Sequence, residues 1–172
     1  MTSDGDGATG DPMEVARRIA LRLLETRPRT EKELRDAMAR KDVPQHVIDA
    51  LVVRFREVRL LDDRALASAL ASTRTQVGLR GPARIRAELR SKGVAPDVVE
   101  SAMSQVAADA ELAAAREVAR RRLRAGSGLE THVVRRRLTA ALARRGFSSD
   151  VVRRVCDEAL GAGGGHLDSG EC

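Results

Sequence analysis

Apolar positions along this chain fall in a pattern that is written three times. Between Gly81 and Met103, Ile85 and Leu89 stand four residues apart. Val98, Val99, Ala102, Met103 and Val106 then follow at i, i+1, i+4, i+5 and i+8. The first spacing predicts a short helix with one apolar edge, and the second predicts another helix with a broader stripe. Between them Ser-Lys-Gly-Val reads as a stop, with Gly93 supplying the left-handed residue that ends a helix and Lys92 set against its negative end. Moving back 51 positions brings Leu34, Met38, Lys41, Val43, Val47 and Ile48 onto Ile85, Leu89, Lys92, Val94, Val98 and Val99 without a gap. Moving forward 53 brings Leu138, Leu142, Arg145, Phe147, Val151 and Val152 onto the same places, with Gly146 on Gly93. A period of about fifty residues marks a tandem array.

Each copy is preceded by one more helical stretch. Asp11-Pro12 reads as an N-cap with proline at the first helical position, and Val15, Ile19 and Leu23 form an apolar row that runs to Thr26. Arg27-Pro28-Arg29 breaks the chain, and Thr30 with Glu33 forms a capping box for the next helix. Leu60-Leu61-Asp62-Asp63 is a joint whose acids suit the cap and first turn of a helix carrying Leu66, Ala67, Leu70 and Ala71. In the third copy Leu112, Ala115, Ala119 and Leu123 face inward before Gly126-Ser127-Gly128 loosens the connection.

The expected fold class is therefore all-α, three tandem three-helix repeats forming an elongated, curved array. The boundaries are 12–60, 61–108 and 109–160, between disordered tails at 1–11 and 161–172. Two Phe, no Tyr and no Trp leave the packing to Leu, Val and Ala, and no run alternates as a strand would. A fifty-residue unit buries too little to stand alone, so neighbours should support one another.

Charge changes the picture. The net charge of +6 hides acidic tails, and the body from 12 to 160 holds 31 bases against 20 acids. Such a balance points to an anionic partner, nucleic acid foremost, although a genome that favours Arg codons would give the same excess. Arg116, Arg120 and Arg124 form an i, i+4, i+8 row, Arg135, Arg136 and Arg137 cluster at the start of the next helix, and Arg144 and Arg145 end it. Arg86 and Arg90 stand one turn apart, while Arg84 is expected to be engaged by Glu88. These ten arginines, Arg84 excluded, are the candidate contacts with DNA or an acidic protein surface. The competing reading is a solvated face balanced by pairs such as Glu117 with Arg121. Lys92, recurring as Lys41 and Arg145, fits a helix-end role.

Other chemistry finds little support. No apolar run is long enough for a membrane span and the start lacks a secretory signal, so the expected location is the cytoplasm. Cys156 takes the core position held by Val52 and Met103, and Cys172 ends a glycine-rich tail. His46, His132 and His166 lie apart, and Asp62-Asp63 is read as a cap rather than a metal pair. The expectation is a monomeric protein that is not an enzyme and has no cofactor.

Three stretches carry a resemblance. LLDDRALASALASTR (Leu60 to Arg74), GPARIRAELRSKGV (Gly81 to Val94) and RRRLTAALARRGFSSDVV (Arg135 to Val152) resemble the RecX family of recombinase regulators, in the right order and over about 14 to 160. The chain departs from that family at Leu66, where an aromatic is frequent, and at Arg59, where Gly is frequent. The resemblance implies nine helices, binding along the groove of a RecA nucleoprotein filament, and inhibition of its recombinase, ATPase and co-protease activities in repair and the SOS response. Single-stranded or double-stranded DNA is a further possible partner. Two other classes remain open: a helix-turn-helix DNA-binding regulator, which would select particular duplex sequences, and a helical adaptor that binds no nucleic acid even at low salt.

Overall fold

The computed structural model describes residues 11–124 and 130–161, and these form helices joined by short turns, with no strand among them. The expected tails, apart from Asp11 and Gly161, and the Gly126-Ser127-Gly128 connection lie outside the described residues. Unit one comprises α1 (Pro12–Thr26), α2 (Glu31–Ala39) and α3 (Gln45–Glu57). Unit two comprises α4 (Asp63–Gln76), α5 (Pro82–Ser91) and α6 (Pro96–Ser104). Unit three comprises α7 (Ala108–Arg124), α8 (Thr131–Arg144) and α9 (Ser149–Gly161).

The local signals act as their chemistry dictates. Asp11 accepts from the Met13 amide and caps α1, with Pro12 beginning the helix where a missing N–H costs nothing. Thr30 and Glu33 close a reciprocal capping box on α2, and Asp62 caps α4 through the Ala65 amide. The middle helix of every unit ends in a left-handed turn at equivalent positions: Gly93 at φ 78° and Gly146 at φ 82°, but Asp42 at φ 57°. Glycine is required in the second and third units for a further reason. A Cβ on Gly93 would strike the Lys32 side chain of unit one, and a Cβ on Gly146 would strike Arg84 of unit two. The Asp42 turn is exposed, so a side chain fits there at the cost of left-handed strain.

Three separate cores result. Ala16, Ala20, Leu34, Met38, Ile48, Leu51, Val52 and Phe55 pack the first unit. Ala67, Ala71, Ile85, Leu89, Val99 and Ala102 pack the second, where the small alanines of α4 allow close approach to α6. Ala115, Val118, Leu138, Leu142, Phe147, Val155 and Cys156 pack the third. Cys156 is 1% exposed and its sulfur lies 3.4 Å from the Thr139 hydroxyl, in the core position read from the repeat.

The units meet through the ends of their middle helices. The C-terminal turn of α5 abuts the N-terminal turn of α2, where the Thr30 hydroxyl donates to the Lys92 carbonyl at 2.6 Å. The C-terminal turn of α8 likewise abuts the start of α5. There the Gly81 amide donates to the Arg145 carbonyl at 2.8 Å and the Ala83 amide to the Gly146 carbonyl at 3.1 Å. Orphan donors at one helix start thus meet orphan acceptors at another helix end. Leu79, between α4 and α5, leaves its own unit to join the third core at 7% exposure. Its backbone is held at φ 48°, a left-handed position that a leucine accepts only when burial over-determines it.

Candidate partner interface

Ten arginines were expected to form the contact surface, and packing divides them. Arg86 donates to both oxygens of Glu100 at 3.1 and 3.0 Å, and Arg90 reaches the same carboxylate at 3.5 Å. Both therefore tie α5 to α6. Arg116 grips Glu158 on α9 through two bonds of 2.8 Å. Hydrogen bonds from Arg116 and Arg154 hold the Glu158 carboxyl at a pKa of about 2. Arg120 and Arg121 share Glu117 within α7, and Arg135 pairs with Asp157 at 2.7 Å. Surface pairs of this kind are weak, so these side chains remain open to exchange with an anionic partner.

Arg145 has a different job. It is half-buried and donates to the Leu79 carbonyl at 3.2 Å, holding the third unit to the second. Its counterpart Lys92 donates to Glu33 at 2.9 Å across the first joint. The repeated basic residue after each middle helix is a fastener wherever a neighbouring unit is present.

Four of the expected ten, Arg124, Arg136, Arg137 and Arg144, are exposed and form no ion pair among the described residues. Arg136, Arg137 and Arg144 lie on α8 within roughly a third of its circumference, since seven and eight residues are close to two turns.

One expectation is corrected. Arg84 is not engaged by Glu88, because Glu88 is taken by Arg74, at 2.8 to 3.1 Å, and by Arg80 at 2.6 Å. The Arg74 bonds hold the Glu88 carboxyl below its ordinary range against the opposing effect of burial. Helical spacing favoured Arg84, but α4 and the turn after it bring two guanidiniums to Glu88 from the other side. Arg84 is thereby left exposed, with its backbone against Gly146 and two residues from Arg144 in the packing. Arg84 thus lies where the end of α8 meets the start of α5. Arg18 and Arg22, one turn apart on α1, are exposed and unpaired among the described residues as well. Nothing in the sequence marks them, since Glu14 stands four residues before Arg18 and Glu25 three after Arg22; in the structure Glu14 is claimed by Arg17.

The larger hollows are open clefts between helices. One of about 710 Å³ lies between units one and two, with Arg35, Arg56, Asp62, Asp63 and Arg64 among its walls. Among the described residues no three His, Cys, Asp or Glu side chains converge as a metal site would require, and no helix is long and apolar enough to cross a membrane.

Comparison with known proteins adds the decisive point. The first, second and third three-helix domains of RecX match residues 16–55, 62–103 and 109–156, one to each unit. The chain belongs to the RecX family. A regulatory protein RecX from Thermobifida fusca is 43% identical over 166 residues, which cover 95% of this chain and 89% of that relative. Another, from Streptomyces lividans, is 40% identical over 152 residues, covering 87% and 80%. The crystal structure of RecX from Lactobacillus salivarius superposes with a TM-score of 0.79 at 21% identity, over 87% of this chain and 97% of that one. A second RecX crystal structure gives 0.77 at 25% identity, over 86% and 74%. The all-α, three-repeat fold of this RecX-family chain is thus shared with solved structures, and its relatives are regulatory proteins.

Proposed function

We propose that this RecX-family chain is a stoichiometric modulator of the RecA recombinase, lying along RecA filaments on DNA in the cytoplasm and restraining their ATPase, strand-exchange and co-protease activities. The observation that carries the reading is the match of all three units, in order, to a family of regulatory proteins. The arrangement supports it physically. Three units joined end to end suit a partner that repeats its own surface, because several weak contacts made at once gain avidity that one unit lacks. The unpaired arginines of α8 and Arg84 supply the charge, directed at filament carboxylates or at phosphates of the enclosed DNA. Binding of this kind needs no catalytic group.

The test is a titration into RecA with single-stranded DNA. Substoichiometric protein should slow DNA-dependent ATP hydrolysis, and unchanged rates at equimolar protein reject the reading. Sequence-selective binding to isolated duplexes, with no effect on RecA, would instead assign the chain to the helix-turn-helix regulators.

A further inference from the structure

The two joints between units are made of different materials. At the second joint two links run backbone to backbone, Gly81 to Arg145 and Ala83 to Gly146, beside the side-chain bond from Arg145 to the Leu79 carbonyl. Helix α4 lies along α7 there, and Leu79 is sunk into the third core beside Phe147 and Leu142. Separating those surfaces would strip an apolar side chain of its contacts and orphan two backbone donors at once.

At the first joint every link uses a side chain. The Thr30 hydroxyl donates to the Lys92 carbonyl, Lys92 donates to Glu33, and the Glu31 amide donates to Asp63 at 3.0 Å. Among the described residues no backbone bond joins a helix of unit one to a helix of unit two, and no helix of one lies along a helix of the other. The connecting turn belongs to unit one, with the Leu60 and Leu61 amides bonded to the Phe55 carbonyl and Leu61 buried in the first core. Beside the links the cleft of about 710 Å³ separates Arg35 and Arg56 of the first unit from Arg64 and Val98 of the second. Its walls are mostly charged, with only Leu61 and Val98 from the two cores among them, so water can fill most of it.

From this asymmetry we infer that unit one pivots on unit two about the Thr30 to Lys92 contact, while units two and three move as one body. Leu61 is anchored in the first core and Asp62 caps α4, so the covalent pivot is the single Leu61 to Asp62 link, which confines the motion to a swing rather than a separation. Rotating side chains and water can re-form the polar links over a range of angles, whereas the Leu79 plug has a single seat. The spacing between the outer surfaces of units one and three therefore adjusts at one place only. This inference stands apart from the identity of the partner.

Paired spin labels measure it directly. In a Cys172→Ser background, where Cys156 stays buried, one pair spans the first joint (Arg18→Cys with Ser101→Cys) and another spans the second (Ser101→Cys with Ser149→Cys). All three positions are exposed. Double electron–electron resonance on the full chain should give a distance distribution at least about twice as broad for the first pair as for the second. Glu33→Ala with Lys92→Ala should widen the first alone, and Leu79→Ala the second alone. Equal widths in the parent, or a first distribution indifferent to loss of the Glu33 and Lys92 contact, would overturn the inference.

Discussion

The hydroxyl of Thr30 donates to the backbone carbonyl of Lys92, 62 residues further along the chain, at 2.6 Å. The same oxygen accepts the Glu33 amide at 3.2 Å, so one side chain starts helix α2 and fastens the second unit to the first. Thr30 is fully buried, so an apolar residue there would leave the Lys92 carbonyl without its donor. Thr30→Val should lower stability by about 2 kcal/mol in urea titrations, with Thr30→Ser recovering most of it because the hydroxyl returns.

Glu33 makes the same joint sensitive to acid. Burial alone would raise its pKa, but hydrogen bonds from Lys92, the Thr30 amide and Arg27 outweigh burial and lower it from 4.5 to about 2. A folded-state pKa below the unfolded one gives stability that is full above about pH 5 and is lost as the pH falls toward 2. Asp63 works in the opposite sense, since burial raises its pKa and its protonation in acid relieves the folded state. The stability difference between the parent and Glu33→Gln should be on the order of 1–2 kcal/mol at pH 6, after discounting for partial exposure, and should shrink toward zero near pH 2.

Three equivalent turns should answer substitution in opposite directions. Asp42→Gly relieves left-handed strain at an exposed turn and should stabilise by about 1 kcal/mol. Gly93→Ala introduces that strain and displaces Lys32, for a loss of about 2 kcal/mol. Gly146→Ala meets the Arg84 backbone, which cannot rotate away as a lysine can, and should cost more than Gly93→Ala. Thermal unfolding of the three variants would establish the order.

Leu79→Ala should destabilise the third unit more than the second, although the residue belongs to the second by sequence. A loss of about 2–4 kcal/mol is expected for a buried leucine. Amide exchange should speed up in α7 to α9 while α1 to α3 keep their protection.

The unpaired arginines should matter most for the proposed activity. Arg136→Glu, Arg137→Glu and Arg144→Glu together should weaken inhibition of RecA ATPase about tenfold or more, at about 1.4 kcal/mol per decade. Arg86→Ala with Arg90→Ala should do less, since both already spend their charge on Glu100. Inhibition curves at fixed RecA and DNA compare them.

The sequence by itself determined the helices, their caps and the repeat. Those are local matters, in which Thr30 and Glu33 or Ile85 and Leu89 act on neighbours one turn away, and a spacing of three or four residues is enough to state them. It also placed Cys156 in a core, because the repeat assigns that position to a core residue in every unit. Only the tertiary structure decided how units join and which charges stay free. Leu79 lies among ordinary turn residues, and its seat in the third core depends on α7 and α8, which come later in the chain. Arg84 has an acid one turn away, and it is free because Arg74 and Arg80 reach that acid first from another helix and its turn. Short-range spacing fixes a helix, whereas an ion pair goes to whichever partner packing brings nearest, and that partner has no fixed distance along the chain.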